Sequence, residues 1–161
     1  MPHDTPEITK KRDDSYRRTS GEHVARYLAT DGVEGYDDNR HRAPTLLLTT
    51  IGRRSGREIV SPLYFAEHDG QYIIIASYAG SDTHPKWYLN LLDQPAVQVQ
   101  IRGDRFAATA RTASAEEKRS LWPLMGDAFP FYNDYLQATE RDIPLVILER
   151  IAGTPPDAGE R

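Results

Sequence analysis

Apolar and polar residues alternate over Ala96-Val97-Gln98-Val99-Gln100-Ile101 and again over Phe106-Ala107-Ala108-Thr109-Ala110, the period of a strand with one face buried. The turn Arg102-Gly103-Asp104-Arg105 between them makes a hairpin. A longer stretch, Thr45 to Phe65, reads TLLLTTIGRRSGREIVSPLYF: two runs of Leu, Ile, Val, Thr and aromatics joined by Gly52-Arg53-Arg54-Ser55-Gly56-Arg57. Asp69-Gly70 then links Phe65–His68 to Gln71–Ser77, and a two-residue link of this kind needs positive φ at both positions. Three antiparallel strands in sequence follow from these signals. Pro62 cannot donate to a ladder, so it marks an edge, a bulge or a place where the sheet opens. Ile143 to Leu148 is apolar throughout and predicts a central strand, with Pro144 near its start.

Helical spacing fills the gaps. Thr19 with Glu22 forms a capping box, with Val24, Tyr27 and Leu28 on one face and Gly32 placed to end the helix. Gly35 to Arg42 reads as a polar loop. Pro85 suits a helix start capped by Thr83 or His84; Trp87, Leu91 and Leu92 would face the core and Pro95 would stop it. Ser114 with Glu117 is a second capping box, opening a helix through Leu121 and Trp122 that Pro123 kinks or shortens. Phe129 to Leu136 predicts a short helix with Tyr132, Tyr135 and Leu136 on one face. Residues 1–18 are too polar to offset the entropy of ordering and read as a frayed tail, leaving 19–161 as one domain. Six strands, mostly in hairpin order, with helices after the third and fifth, exclude a parallel βαβ sheet. They predict a mainly β fold with covering helices: a six-stranded antiparallel barrel, closed or split.

Composition narrows the chemistry. The net charge of -4 and pI near 5.7 argue against a general nucleic-acid binder, and the positive charge is local. The chain has no cysteine, and its five histidines are scattered without ligand spacing, so a metal site is not expected. No apolar run approaches the length of a membrane span, which makes a cytoplasmic protein the expectation. The N-terminal helix could cover the barrel, lid a site or make peripheral contact with a membrane.

Arginines crowded at 53, 54 and 57 repel one another unless an anion sits among them, and a guanidinium holds phosphate or carboxylate by two hydrogen bonds. The loop is an anion site or a plain solvated hairpin loop. It leads back into a strand rather than into a helix, unlike the common phosphate loops. No serine sits in a nucleophile elbow, and Asp82 and His84 are too close in sequence to form a positioned triad. What remains is a cofactor site: the arginine loop, the small and hydroxyl residues from Ser77 to Ser81, and cover from Tyr132 and Tyr135. Each has a plainer reading, with Trp87 and Tyr88 as core anchors, His84 as a cap, the two tyrosines as packing residues and Ser77 as a strand end.

Taken together, LLLTTIGRRSGR, SPLYF, ASYAGSDTHPKWYLNL, FYNDY and TERDIPLVILE closely resemble the deazaflavin-dependent nitroreductase family, whose members bind the 8-hydroxy-5-deazaflavin coenzyme F-420. The likeness covers about Pro44 to Leu148. It implies a split β-barrel of the FMN-binding type and an oxidoreductase that passes a hydride from the reduced deazaflavin to a quinone, a nitro compound or a similar flat electrophile. Carried over residue by residue, it implies that Arg53, Arg54, Ser55, Gly56 and Arg57 hold the coenzyme's phosphate and oligoglutamate tail. Ala76, Ser77, Tyr78, Ala79, Gly80 and Ser81 would meet the ring, and Pro62, Pro85, Lys86 and Trp87 would border it. Tyr132 and Tyr135 match the acceptor-side tyrosines, and Ser77 or Tyr135 is the expected donor to the developing anion. The chain departs from the family pattern at Phe129 and Phe131, where a Trp-Pro-Asp-Tyr motif is usual, and at Tyr78-Ala79, where smaller residues are usual. A bulkier, more apolar acceptor pocket follows. An FMN enzyme of the same fold and a non-catalytic F-420 carrier stand as alternatives, in a monomer or a homodimer.

Overall fold

The computed structural model describes residues 20–78 and 82–151. The expected tail and Thr19 lie outside them. Helix α1 occupies residues 20–30, and strands β1 (Thr45–Ile51), β2 (Glu58–Tyr64), β3 (Ala66–His68) and β4 (Gln71–Ile75) follow. Helix α2 (Lys86–Asp93), strands β5 (Ala96–Ile101) and β6 (Asp104–Thr112), helices α3 (Ala115–Ala128) and α4 (Phe131–Ala138), and strand β7 (Leu145–Arg150) complete the described chain.

One antiparallel sheet runs in the order β2-β1-β5-β6-β7-β4-β3. It has seven strands, not the six expected. The run read as a single second strand breaks at Phe65: β2 pairs with β1, β3 pairs with β4, and the two pieces stand at opposite edges. A flat seven-stranded sheet would hold its edges about 29 Å apart. Tyr64 and Ala66, with one residue between them, are at most about 7 Å apart along the chain. The sheet must therefore curl until its edges meet. Buried Phe65 sits at the junction, its N–H donating to the Pro44 carbonyl at 3.1 Å.

The curl divides the core in two. Leu46, Leu48, Ile74, Val99, Phe106, Val146 and Leu148 pack inside it, with Trp87, Tyr88 and Leu91 of α2 closing one end. Ile73, Ile75, Leu145 and Ile147 point outward onto Leu121, Met125, Phe129 and Tyr132 of the α3–α4 region. Ile73–Ile75 of β4 and Leu145–Leu148 of β7 are thus covered on both faces, which is why these stretches are continuous apolar runs rather than alternations. At the other end, the buried Tyr27 hydroxyl of α1 donates to the Thr45 carbonyl at 3.0 Å and accepts the Arg102 N–H at 2.7 Å. Gly32 ends the helix at φ 79, and a Cβ there would stand 2.8 Å from the Arg102 Cα, so the predicted stop also permits this close approach.

Several helical expectations shift. Leu28, Leu92 and Leu136 are exposed rather than on buried faces. α2 begins one residue after Pro85, which is itself the N-cap and makes no side-chain cap bond, in place of Thr83 or His84. α3 runs through Pro123 to Ala128, because Leu121 and Met125 on either side are anchored in the same cluster. The Ser114–Glu117 capping box forms as predicted, and Arg111 adds a forked contact to the Glu117 carboxylate at 2.7 and 2.9 Å.

Arg111 and the Ser114 N–H together lower the Glu117 pKa from 4.5 to about 2. A group whose folded pKa is depressed adds stability that is present above its unfolded pKa and lost as pH falls through the folded one. Glu117→Gln is expected to melt below the wild type at pH 7, and the two melting temperatures should converge between about pH 4.5 and 2. Thermal melts across that range check this; a constant gap down to pH 2 would return the effect to helix propensity.

Candidate functional site

The arginine loop is held by its backbone and leaves its side chains outward. Gly52 N–H donates to the Arg57 carbonyl at 2.7 Å and Gly56 N–H to the Gly52 carbonyl at 2.8 Å, while Ser55 Oγ accepts the Arg57 N–H at 3.2 Å. A Cβ on Gly52 would lie 2.5 Å from that Oγ, so any other residue there would displace the Ser55 side chain. Arg53, Arg54, Ser55, Gly56 and Arg57 are all exposed. The three guanidiniums have no acidic partner among the described residues.

Asn90 of α2, 5% exposed, fixes where the loop sits: its Oδ1 accepts the Arg53 N–H at 3.1 Å and its Nδ2 donates to the buried Thr50 hydroxyl at 3.2 Å. The same helix begins at a cavity of about 380 Å³. Pro62, Leu63 and Tyr64 of β2 and Ile75, Ser77 and Tyr78 at the end of β4 line it. Pro85, Trp87, Phe131, Tyr132 and Tyr135 also line it, together with Ser20, His23 and Asn39. From Pro85 to Asn90, α2 rises about 7 Å, so the aromatic cavity and the arginine loop adjoin.

Seven of the expected residues therefore meet in one cavity: Pro62, Ser77, Tyr78, Pro85, Trp87, Tyr132 and Tyr135. Ala76 is fully buried, with its N–H donating to the Pro144 carbonyl, and Lys86 is exposed on α2 away from the lining. Ala79, Gly80 and Ser81 lie outside the described residues. Leu63, Tyr64 and Ile75 join the wall without having been singled out, although SPLYF contains two of them, and Phe131, a departure from the family pattern expected to make the pocket more apolar, lines it too. Ser20 and His23 show that α1 reaches over the cavity as well as covering the sheet, and His23 Nε2 donates to the Gly35 carbonyl at 2.6 Å.

The wall is densely aromatic. Phe131 stacks on His41 with centroids 3.8 Å apart and meets the Tyr64 ring edge-on at 5.7 Å; Tyr132 and Tyr135 are 5.8 Å apart. Burial holds the Tyr64 and Tyr135 phenols above their ordinary range, with Arg40 pulling each back. Both are therefore protonated donors at neutral pH.

Arg141, a residue without a sequence signal beyond its place in TERDIPLVILE, gathers the end of β4. It donates to the Ala76 carbonyl at 3.2 Å, the Ser77 carbonyl at 2.7 Å and His84 Nδ1 at 2.7 Å. An arginine can only donate, so His84 accepts on Nδ1 and carries its proton on Nε2. Burial and Arg141 both push the His84 pKa down, consistent with a neutral ring. Among the described residues, no helix is long and apolar enough to cross a membrane, and no group of His, Asp and Glu could hold a metal ion.

The chain matches a family model described as F-420H(2)-dependent quinone reductase over residues 18–150. A Mycobacterium tuberculosis protein provisionally named F-420H(2)-dependent quinone reductase Rv3178 is 38% identical over 109 residues, covering 68% of this chain and 92% of that one. A solved structure of an F-420-H2 dependent reductase, FDR-A, is 38% identical with a TM-score of 0.61, covering 66% of this chain and 94% of its own. Another, described as a domain-swapped dimer, is 36% identical with a TM-score of 0.64 and covers 85% of this chain and 98% of its own.

Asn90→Ala would leave a buried threonine hydroxyl and the Arg53 N–H without their partner. A loss of about 1–3 kcal/mol in unfolding free energy is expected. Faster amide hydrogen exchange confined to residues 52–57 should accompany it; unchanged exchange there would mean that the hairpin holds its own shape.

Proposed function

Because the chain belongs to the F-420H(2)-dependent quinone reductase family, we propose that its aromatic cavity holds the deazaflavin ring and the acceptor face to face, while the neighbouring arginine loop holds the coenzyme's tail. The carrying observation is the adjacency of two unlike surfaces along α2: a flat-walled cavity at its start and three guanidiniums without acidic partners near its end. A coenzyme with a planar ring and a tail of phosphate and carboxylates matches both. The donor set fits the group. Bound there in its reduced form, the coenzyme supplies a hydride at C5.

The protein's own residues orient and stabilise. Arg53, Arg54 and Arg57 meet the anionic tail by forked hydrogen bonds. Pro62, Pro85 and Trp87 border the ring, and Ser77 and Tyr78 approach it at the end of β4. Tyr132 and Tyr135 both line the cavity and donate to the oxygen on which negative charge develops, the Tyr135 hydroxyl being kept protonated by burial. The apolar rings around them exclude water and favour a quinone over a strongly hydrated acceptor. The curled sheet, with its edges meeting at Phe65, supports a reading as a split barrel of the flavin-binding type. The domain-swapped relative supports a homodimer, which light scattering on the purified chain decides.

Titration with F-420 and with FMN, followed by oxidation of the bound reduced coenzyme with menadione, tests the reading. Tight F-420 binding and menadione-dependent oxidation are expected. Preference for FMN, or F-420 binding without oxidation, would instead make the protein a flavin enzyme or a carrier. Arg54→Ala should raise the F-420 dissociation constant roughly ten-fold, the loss of about 1–2 kcal/mol for one charge-assisted contact. Tyr135→Phe should lower kcat at least about ten-fold with coenzyme affinity unchanged, less than the ~10²–10³ of a lone donor because Tyr132 and Ser77 share the cavity. Equal turnover would return Tyr135 to packing.

A further inference from the structure

We propose that Arg141 is the positioning residue of the ring-binding end of the site: its guanidinium clamps both feet of the segment joining β4 to α2, so that Ser77, Tyr78 and Pro85 are set before any ligand arrives. The proposal rests on the reading of the cavity as the deazaflavin site.

Successive carbonyls of a regular strand point to opposite sides. Those of Ala76 and Ser77 instead converge on one guanidinium, at 3.2 and 2.7 Å, so the pleat is broken where β4 ends. The next residue, Tyr78, has φ 46, a left-handed conformation that is unfavourable for a bulky side chain and persists only where its surroundings impose it. A trans peptide points its N–H opposite to its C=O, so fixing the Ser77 carbonyl also fixes the direction of the Tyr78 N–H. Both residues line the cavity.

The returning foot is held by the same turn. Arg141 donates to His84 Nδ1, next to cavity-lining Pro85, and Thr139 Oγ1 donates to Asp82 Oδ1 at 2.8 Å while accepting the Arg141 N–H at 3.1 Å. Three acceptors in two chain segments require a planar donor set with several N–H groups. Lysine, a single flexible ammonium, cannot span them. The turn 139–141 directly follows α4, the helix that carries Tyr132 and Tyr135. The clamp therefore also ties the ring-binding segment to the acceptor wall.

The test separates ring from tail. Wild type, Arg141→Lys, Thr139→Val and Arg54→Ala are each titrated with F-420 and with the deazaflavin riboside that lacks phosphate and glutamates. Arg141→Lys should weaken both ligands by the same factor, about ten-fold for the lost charge-assisted bonds. Thr139→Val should weaken both to a smaller extent, and Arg54→Ala should weaken F-420 alone. A variant that merely unfolded in part would bind at reduced stoichiometry with an unchanged dissociation constant, which would overturn the positioning role. Riboside binding equal to wild type in both Arg141→Lys and Thr139→Val would overturn it as well, while leaving the coenzyme reading intact. Failure of the wild type to bind either ligand would overturn both.

Discussion

A single residue between the two edge strands is the constraint on which the remaining architecture depends. With β2 and β3 at opposite ends of a seven-strand order and only Phe65 joining them, the sheet has no flat solution. Curling brings the end of β2 against the end of β4, although the two are not hydrogen-bonded neighbours in the sheet. The cavity opens at that seam: Pro62, Leu63 and Tyr64 come from one side and Ile75 and Ser77 from the other. Pro62, with no N–H to offer a further strand, suits a place where the ladder stops.

Around this seam the work is divided by chemical type. Aromatic side chains from β2, α2 and α4 line much of the cavity, and guanidiniums carry the charge beyond its rim. Two polar side chains, Asn90 buried and Arg141 half-buried, fasten the two parts to the frame. Asn90 fixes the arginine loop to α2 and β1, and Arg141 fixes the end of β4 to the turn after α4. These ties satisfy backbone groups that the irregular segments would otherwise leave unpaired, which is costly in a buried setting.

Much of this was legible in the sequence, for physical reasons that can be named. The Asp69-Gly70 link has φ 52 and 76, as its turn chemistry demanded, and the Ser114–Glu117 capping box and the unbroken apolar run of β7 are equally local or compositional signals. The break at Phe65 was not legible, because an aromatic residue inside an apolar run carries no turn chemistry and only long-range pairing separates β2 from β3. Leu28, Leu92 and Leu136 were misplaced because helical spacing alone does not say how wide a buried stripe is. Seven of the expected site residues meet at the cavity. The roles of Asn90 and Arg141 were not legible, because a polar clamp acts through backbone groups far away in the chain, and nothing in its own neighbourhood marks it.

The placement of β7 bears on how the polypeptide acquires its shape during synthesis. It is the last described strand along the chain, yet it sits between β6 and β4, with antiparallel partners on both sides. Hairpins β1–β2, β3–β4 and β5–β6 can each zip locally as they leave the ribosome. The two halves of the sheet stay apart, with adhesive edges exposed on β4 and β6, until residues near 150 have emerged. A nascent chain of this protein therefore carries an open strand slot from the completion of β4 until β7 follows about 70 residues later. The window in which it is vulnerable to wrong pairing is set by the distance from β4 to β7 along the sequence rather than by any weakness in the finished sheet.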